Sequence, residues 1–116
     1  MPYGGSLMEL STRFAPAVLA KLRHDLMWRG KTLASMLGDV LAGEQPPELA
    51  ALLAEQPGIR PDEVLRRALQ QIEGRRRLLD AGDDQFGRCV VCGADLGLVA
   101  LGEMPWADRC AAHAAA

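Results

Sequence analysis

The residues best equipped for chemistry in this 116-residue chain gather near its C-terminal end, as CVVC (Cys89 and Cys92) and CAAH (Cys110 and His113). They comprise all three cysteines of the chain and one of its two histidines. Thiolate sulfur and imidazole nitrogen are the donors zinc prefers, four at a time and in a tetrahedron. A Cys-x-x-Cys turn offers two sulfurs from one tight loop, and Gly93 behind it is free to take a positive φ. Cys110 and His113 lie three residues apart, so a helical course would aim both at one ion. Four protein ligands fill the shell and leave no position for water or substrate. The expectation is a structural Zn²⁺ held by Cys89, Cys92, Cys110 and His113, without a catalytic role. The competing reading is three buried free thiols beside a surface imidazole, and it leaves the pairing of the ligands unexplained. No Ser/His/Asp set, Gly-rich phosphate loop or inward carboxylate pair is visible, so the chain does not read as an enzyme.

Such a site needs elements to carry it, and these read as helices. Ala and Leu dominate while aromatics make up 4%, which favours helix. The stretch from Ser11 to Gly43 has Ala15, Leu19, Leu22, Leu26, Leu33, Met36 and Val40 at alternating steps of three and four, with Arg29 filling the missing step. Ser11 or Thr12 is suited to cap its start, Pro16 belongs in a first turn, and Gly43 suits its end. Gly30 is a point where this helix could bend. A short helix follows, from Glu48 to about Glu55, between proline turns. A second long helix runs from Pro61 towards Gly82, with Asp62 and Glu63 at its positive end and a stripe of Leu65, Leu69, Ile72 and Leu79 broken by Arg76. Gly74 is a second soft point.

The predicted fold is therefore mainly α: a long antiparallel, coiled-coil-like helical hairpin with a short tip helix and a small C-terminal zinc finger. Residues 1–82 would form the hairpin and 83–116 the zinc-finger segment. At 1.5 Å per residue the two arms would be roughly 40 and 30 Å long. An ordinary three-helix bundle is the competing arrangement, because the 48–55 segment also has an apolar face.

Charge is unevenly spread. The net charge is -2, but residues 39–63 hold six acids (Asp39, Glu44, Glu48, Glu55, Asp62, Glu63) against Arg60 alone. The hairpin would carry this acidic block at its far tip, with the Cys/His segment at the base. Arg66, Arg67 and Arg75 to Arg77 lie on a helix beside acids in a chain of negative net charge, so they read as a solvated face rather than a nucleic-acid surface. His24 reads as an exposed helical residue. Trp28 falls off the seam, where it would pack on the N-terminal segment or mark a partner surface, and Trp106 reads as a cover for the zinc loop. No run of about eighteen apolar residues is present, and the opening MPYGGSLMEL lacks the regions of a signal peptide. The expected compartment is the cytoplasm, where thiols stay reduced and clustered cysteines bind metal rather than each other.

The segment DDQFGRCVVCGADLGLVALGEMPWADRCAAH resembles the zinc-binding region of the DksA/TraR family of bacterial transcription factors. Phe86, Gly87, Cys89, Cys92, Gly93, Leu96, Leu101, Pro105, Ala107, Asp108 and Cys110 match the family pattern, as does the spacing C-x2-C-x17-C. His113 stands where the family usually has a fourth cysteine. The resemblance is specific over residues 83–113 and extends to the remainder as architecture. It implies a protein that binds RNA polymerase, not a specific DNA sequence, by inserting the hairpin into the secondary channel, in some members together with ppGpp. Acidic tip residues act there; the candidates are Glu44, Glu48, Asp62 and Glu63. The chain departs from the family tip motif D-x-x-D-x-A: in PDEVLRRA, Asp62 matches the first Asp, but Leu65 and Arg67 stand at the second Asp and the Ala. It also has Val99 and Ala100 ahead of Leu101, where members often carry Arg. The alternative is a zinc-stabilised interaction module that kept the finger and lost the tip chemistry.

Overall fold

The computed structural model describes residues 13–114. Four helices lie wholly within the described residues: α1 (Pro16–Leu41), α2 (Leu49–Glu55), α3 (Pro61–Asp80) and α4 (Leu98–Glu103). There is no strand among the described residues; an isolated antiparallel bridge joins Arg88 to Asp95.

Both long helices start on proline. Pro16 and Pro61 occupy the first turns, where the missing N–H costs nothing and the fixed φ suits the helix. The N-cap of α1 is Ala15, which offers no side-chain cap. The capping expected of Ser11 or Thr12 falls outside the described residues. Both helices end alike. Beyond α1, the Glu44 N–H donates to the Asp39 carbonyl (2.8 Å) and the Gly43 N–H to Val40 (3.0 Å); beyond α3, Asp83 donates to Leu78 (2.9 Å) and Gly82 to Leu79 (3.1 Å). These are paired Schellman closures, and each needs a left-handed residue that glycine supplies, at φ 89° in Gly43 and 67° in Gly82.

The arms run antiparallel: Arg23 of α1 pairs with Asp80 of α3 (2.9 Å), while Gly30 faces Ile72. The seams read from the sequence meet, except that Ala15, the first member of the expected α1 stripe, is exposed at the N-cap. Leu22, Leu26, Leu33 and Met36 are buried against Leu65, Ile72 and Leu79. Val64, outside the expected stripe, is fully buried as well. Neither soft point interrupts its helix. A methyl on Gly30 would sit 3.5 Å from Ile72 Cγ2, an ordinary contact. Arm lengths follow from the element bounds: 26 and 20 residues, or about 39 and 30 Å.

The short helix is where the simple hairpin needs correction. α2 does not extend the tip. Leu49 is completely buried, Leu52 and Leu53 pack against the core, and Leu52, Glu55 and Gln56 line a cavity of about 130 Å³ with Leu33, Ala68, Gln71 and Trp106. The helix folds back along the arms, because three leucines in seven residues are better buried there than held in water. Glu55 is thereby removed from the tip, which consists of the turns around 42–48 and 57–61. The molecule remains elongated, at 49 × 27 × 24 Å.

Candidate metal centre

The segment after α3 folds back onto the base of the hairpin. Phe86 is fully buried and meets Phe14 edge to face, with ring centroids 6.2 Å apart. Leu101 of α4 is also fully buried, and Leu96 and Trp106 pack against the same core. The finger is thus attached to the hairpin through its own apolar residues.

The CVVC loop is closed by backbone bonds. Cys89 N–H donates to the Ala94 carbonyl and Gly93 N–H to the Cys89 carbonyl, both at 2.8 Å. Gly93 takes φ 75°, as expected from its place behind the loop. The second ligand arm is tied to the first by Val90 N–H donating to Asp108 (2.8 Å). Cys110 and His113 share a turn, closed by His113 N–H to the Cys110 carbonyl (2.9 Å), rather than a helix. One turn at i, i+3 is enough to converge the two side chains.

The ligand atoms of Cys89, Cys92, Cys110 and His113 all lie within 4.8 Å of one another. Cys92 Sγ and Cys110 Sγ are 3.8 Å apart, and His113 Nδ1 lies 3.6 Å from Cys89 Sγ and 3.2 Å from Cys110 Sγ. Bonds of about 2.3 Å to sulfur and 2.05 Å to nitrogen in a tetrahedron give edges of about 3.8 Å for S···S and 3.6 Å for S···N. The donor set therefore fits a metal ion such as zinc, in spacing as well as chemistry. Cys89 is buried and Cys92 exposed. Burial raises the Cys89 thiol pKa, but the N–H groups of Cys110, Cys92 and Val91 outweigh it and bring the value down to about 6. At Cys92 the Ala94 N–H lowers the pKa, yet desolvation and the neighbouring Cys89 and Cys110 sulfurs leave it raised. Backbone dipoles thus prepare one thiolate, the form that binds metal, while crowding of like groups opposes the next.

The tip candidates fare differently. Glu44 and Glu48 are exposed in the turn between α1 and α2. Asp62 and Glu63, expected at freely exposed positions, are half-buried and already paired. Asp62 lies 3.4 Å from Arg60 and 3.7 Å from Arg66, with its side chain 22% exposed; Glu63 lies 3.3 Å from Arg67. Their place in the first turn of α3 accounts for this, since the i+4 positions of that helix are arginines. Leu65, at the second-Asp position of the family motif, is fully buried in the core. Arg77 pairs with Glu73 (3.0 Å), Arg76 is exposed and Arg75 half-buried, so the arginine run is a mixed face of α3.

Trp28 is 64% exposed and off the seam, and its expected packing on the N-terminal segment falls outside the described residues. Trp106 does not cap the metal loop. It turns to the middle of the hairpin, where the Arg29 guanidinium lies 4.8 Å from its ring centroid and Gln71 Nε2 donates to its carbonyl (2.9 Å). Arg29 fills the missing step of the α1 stripe because its cation has an indole to stack on.

Arg13 was not singled out by sequence reasoning. Its guanidinium reaches across 71–73 residues of chain to the carbonyls of Asp84 (2.7 Å) and Phe86 (2.8 Å), and to the carboxylates of Asp84 and Asp95, both at 3.3 Å. An arginine before a helix carries no local signal of such contacts.

No helix among the described residues is long and apolar enough to cross a membrane. Compared with known proteins, the chain matches no family model, no curated protein and no solved structure.

Proposed function

We propose that this chain is a zinc-structured regulator of transcription of the DksA/TraR kind, acting in the bacterial cytoplasm by binding RNA polymerase at its secondary channel. The observation that carries the reading is a closed Cys3His shell docked on the base of a long paired-helix arm whose far turn presents Glu44 and Glu48. Three sulfurs and an imidazole at tetrahedral spacing suit Zn²⁺ better than the harder, oxygen-seeking cations. With four protein ligands, the metal supplies folding free energy rather than an open coordination site. The finger pattern from Phe86 to Cys110 supports the family reading, and an acidic end on a rigid arm suits a cation-lined channel by charge.

The proposal is tested by capturing polymerase on the immobilised protein and competing with another secondary-channel factor. Binding should weaken with salt, and replacing Glu44 and Glu48 with glutamine should reduce the effect on transcription while leaving the fold intact. Parallel reactions with and without ppGpp read the nucleotide's contribution. A wild-type protein that neither binds polymerase nor changes initiation at low salt rejects this function.

A second reading is favoured by a specific observation. Asp62 and Glu63 are held by arginines of their own helix, and Leu65 is part of the core, so the tip chemistry of the best-matched motif is absent. Under that reading the protein is a zinc-stabilised interaction module with another protein target, and the same capture experiment returns no polymerase.

A further inference from the structure

We infer that Arg13 is a positioning residue for the metal site, so that the finger binds its metal at full affinity only when docked on the hairpin; this rests on the metal-site reading above. The argument starts from where its contacts fall. Asp84 precedes the first cysteine by five residues, and Asp95 follows the second by three. Arg13 touches both carboxylates at 3.3 Å, and so brackets the CVVC loop at its base. Between the two aspartates the loop is drawn closed by the Arg88–Asp95 bridge. Arg88 continues the network: it lies 3.1 Å from the other Asp84 carboxylate oxygen and 3.4 Å from the carbonyl of Gly93, directly behind Cys92. The Gly87 carbonyl, which accepts from Leu96 N–H at 2.9 Å, also lies 3.5 Å from the Arg13 guanidinium.

These contacts tie together the two strands of chain that enter and leave the loop, and they originate outside the finger. The Arg13 side chain is only 12% exposed, so its hydrogen bonds work in a partly desolvated setting where a charged donor is strong. Asp95 is held ionised, chiefly by the Gly97 N–H and further by Arg13. A spread loop would separate Cys89 from Cys92 and lose the tetrahedral spacing. Outer contacts that orient metal ligands typically carry about 10- to 100-fold in affinity.

The test measures zinc affinity by competition with a chromophoric chelator, using Zn²⁺ alone and the full-length reduced protein. Arg13→Ala should weaken zinc binding by about 10- to 100-fold. Arg23→Ala removes an exposed ion pair between the two arms, made to Asp80 and not to Asp84 or Asp95, and should leave zinc affinity unchanged. A merely structural Arg13 would weaken the metal-free and metal-bound folds equally, and the zinc affinity would not move. Arg13→Lys keeps the positive charge and serves if the alanine variant does not fold. One ammonium cannot span both carboxylates and the carbonyls, so a loss of about 10-fold is expected there too. Zinc affinity unchanged in Arg13→Ala, or in Arg13→Lys, overturns the inference. If the wild-type protein binds no zinc, the metal reading fails instead, and the two failures are told apart by that first measurement.

Discussion

Gly87 sits where finger meets hairpin, and replacing it tests the joint quantitatively. Its φ is 75°, and a Cβ there would lie 3.0 Å from Leu101 Cδ1, 3.2 Å from Phe14 Cζ and 3.4 Å from an Arg13 guanidinium nitrogen. Gly87→Ala therefore suffers two losses. The left-handed conformation costs an L-residue about 1–2 kcal/mol, and overpacking a well-filled site costs about 1–3 kcal/mol. Gly58→Ala supplies the control, because Gly58 has φ 84° with open space around its Cβ direction. Both alanines restrict the unfolded chain equally, so the difference between the variants isolates the packing. Urea unfolding followed by circular dichroism, at a slope of about 2 kcal/mol per M, should place the Gly58→Ala midpoint roughly 0.5–1 M below wild type. The Gly87→Ala midpoint should lie a further 0.5–1.5 M lower, given the packing cost. If Gly87→Ala unfolds no earlier than Gly58→Ala, the close seating of Phe14, Gly87 and Leu101 is wrong.

Further outcomes check the other links. Leu49→Ala should destabilise by about 2–5 kcal/mol, since Leu49 is fully buried where α2 folds back; a loss below about 1 kcal/mol in urea titration would leave α2 free of the hairpin. Freshly purified reduced protein should contain about one zinc per chain by metal analysis, and a chelator should abolish amide protection over residues 86–113 while most of the helical signal survives. Cys92→Ala should lose the metal and His113→Cys should keep it, because a thiolate replaces the imidazole as donor. In the metal-free protein, the Cys89 thiol should ionise with a midpoint at about 6 in ultraviolet thiolate absorbance. Its pKa is lowered from 9.0 on folding, so its contribution to stability is complete above pH 9.0 and is lost as pH falls through about 6. A Cys89 midpoint at or above 9.0 would remove that contribution.

The sequence by itself determined the helices, most of their buried stripes and the four members of the Cys3His cluster. Each of these is written in short-range spacing. Leu19 to Val40 and Leu65 to Leu79 repeat at the helical period, and CVVC and CAAH bring donors together within one turn each. Gly43 and Gly82 mark the helix ends because a left-handed closure favours one residue type. What the tertiary structure decided is every relation between segments far apart in the chain. The fold-back of α2 depends on the room that Leu33 and Ala68 leave beside the arms, which no local pattern encodes. Trp106 packs on Arg29 and Gln71 because the chain beyond α4 reaches from the base towards the middle of the hairpin. Asp62 and Glu63 read as tip acids by sign and position, yet their field is largely answered by arginines one turn along the helix. The contacts of Arg13 form only when the segment ahead of α1 and the finger come together, since a guanidinium's five donors find acceptors by three-dimensional proximity, and those acceptors lie more than seventy residues away.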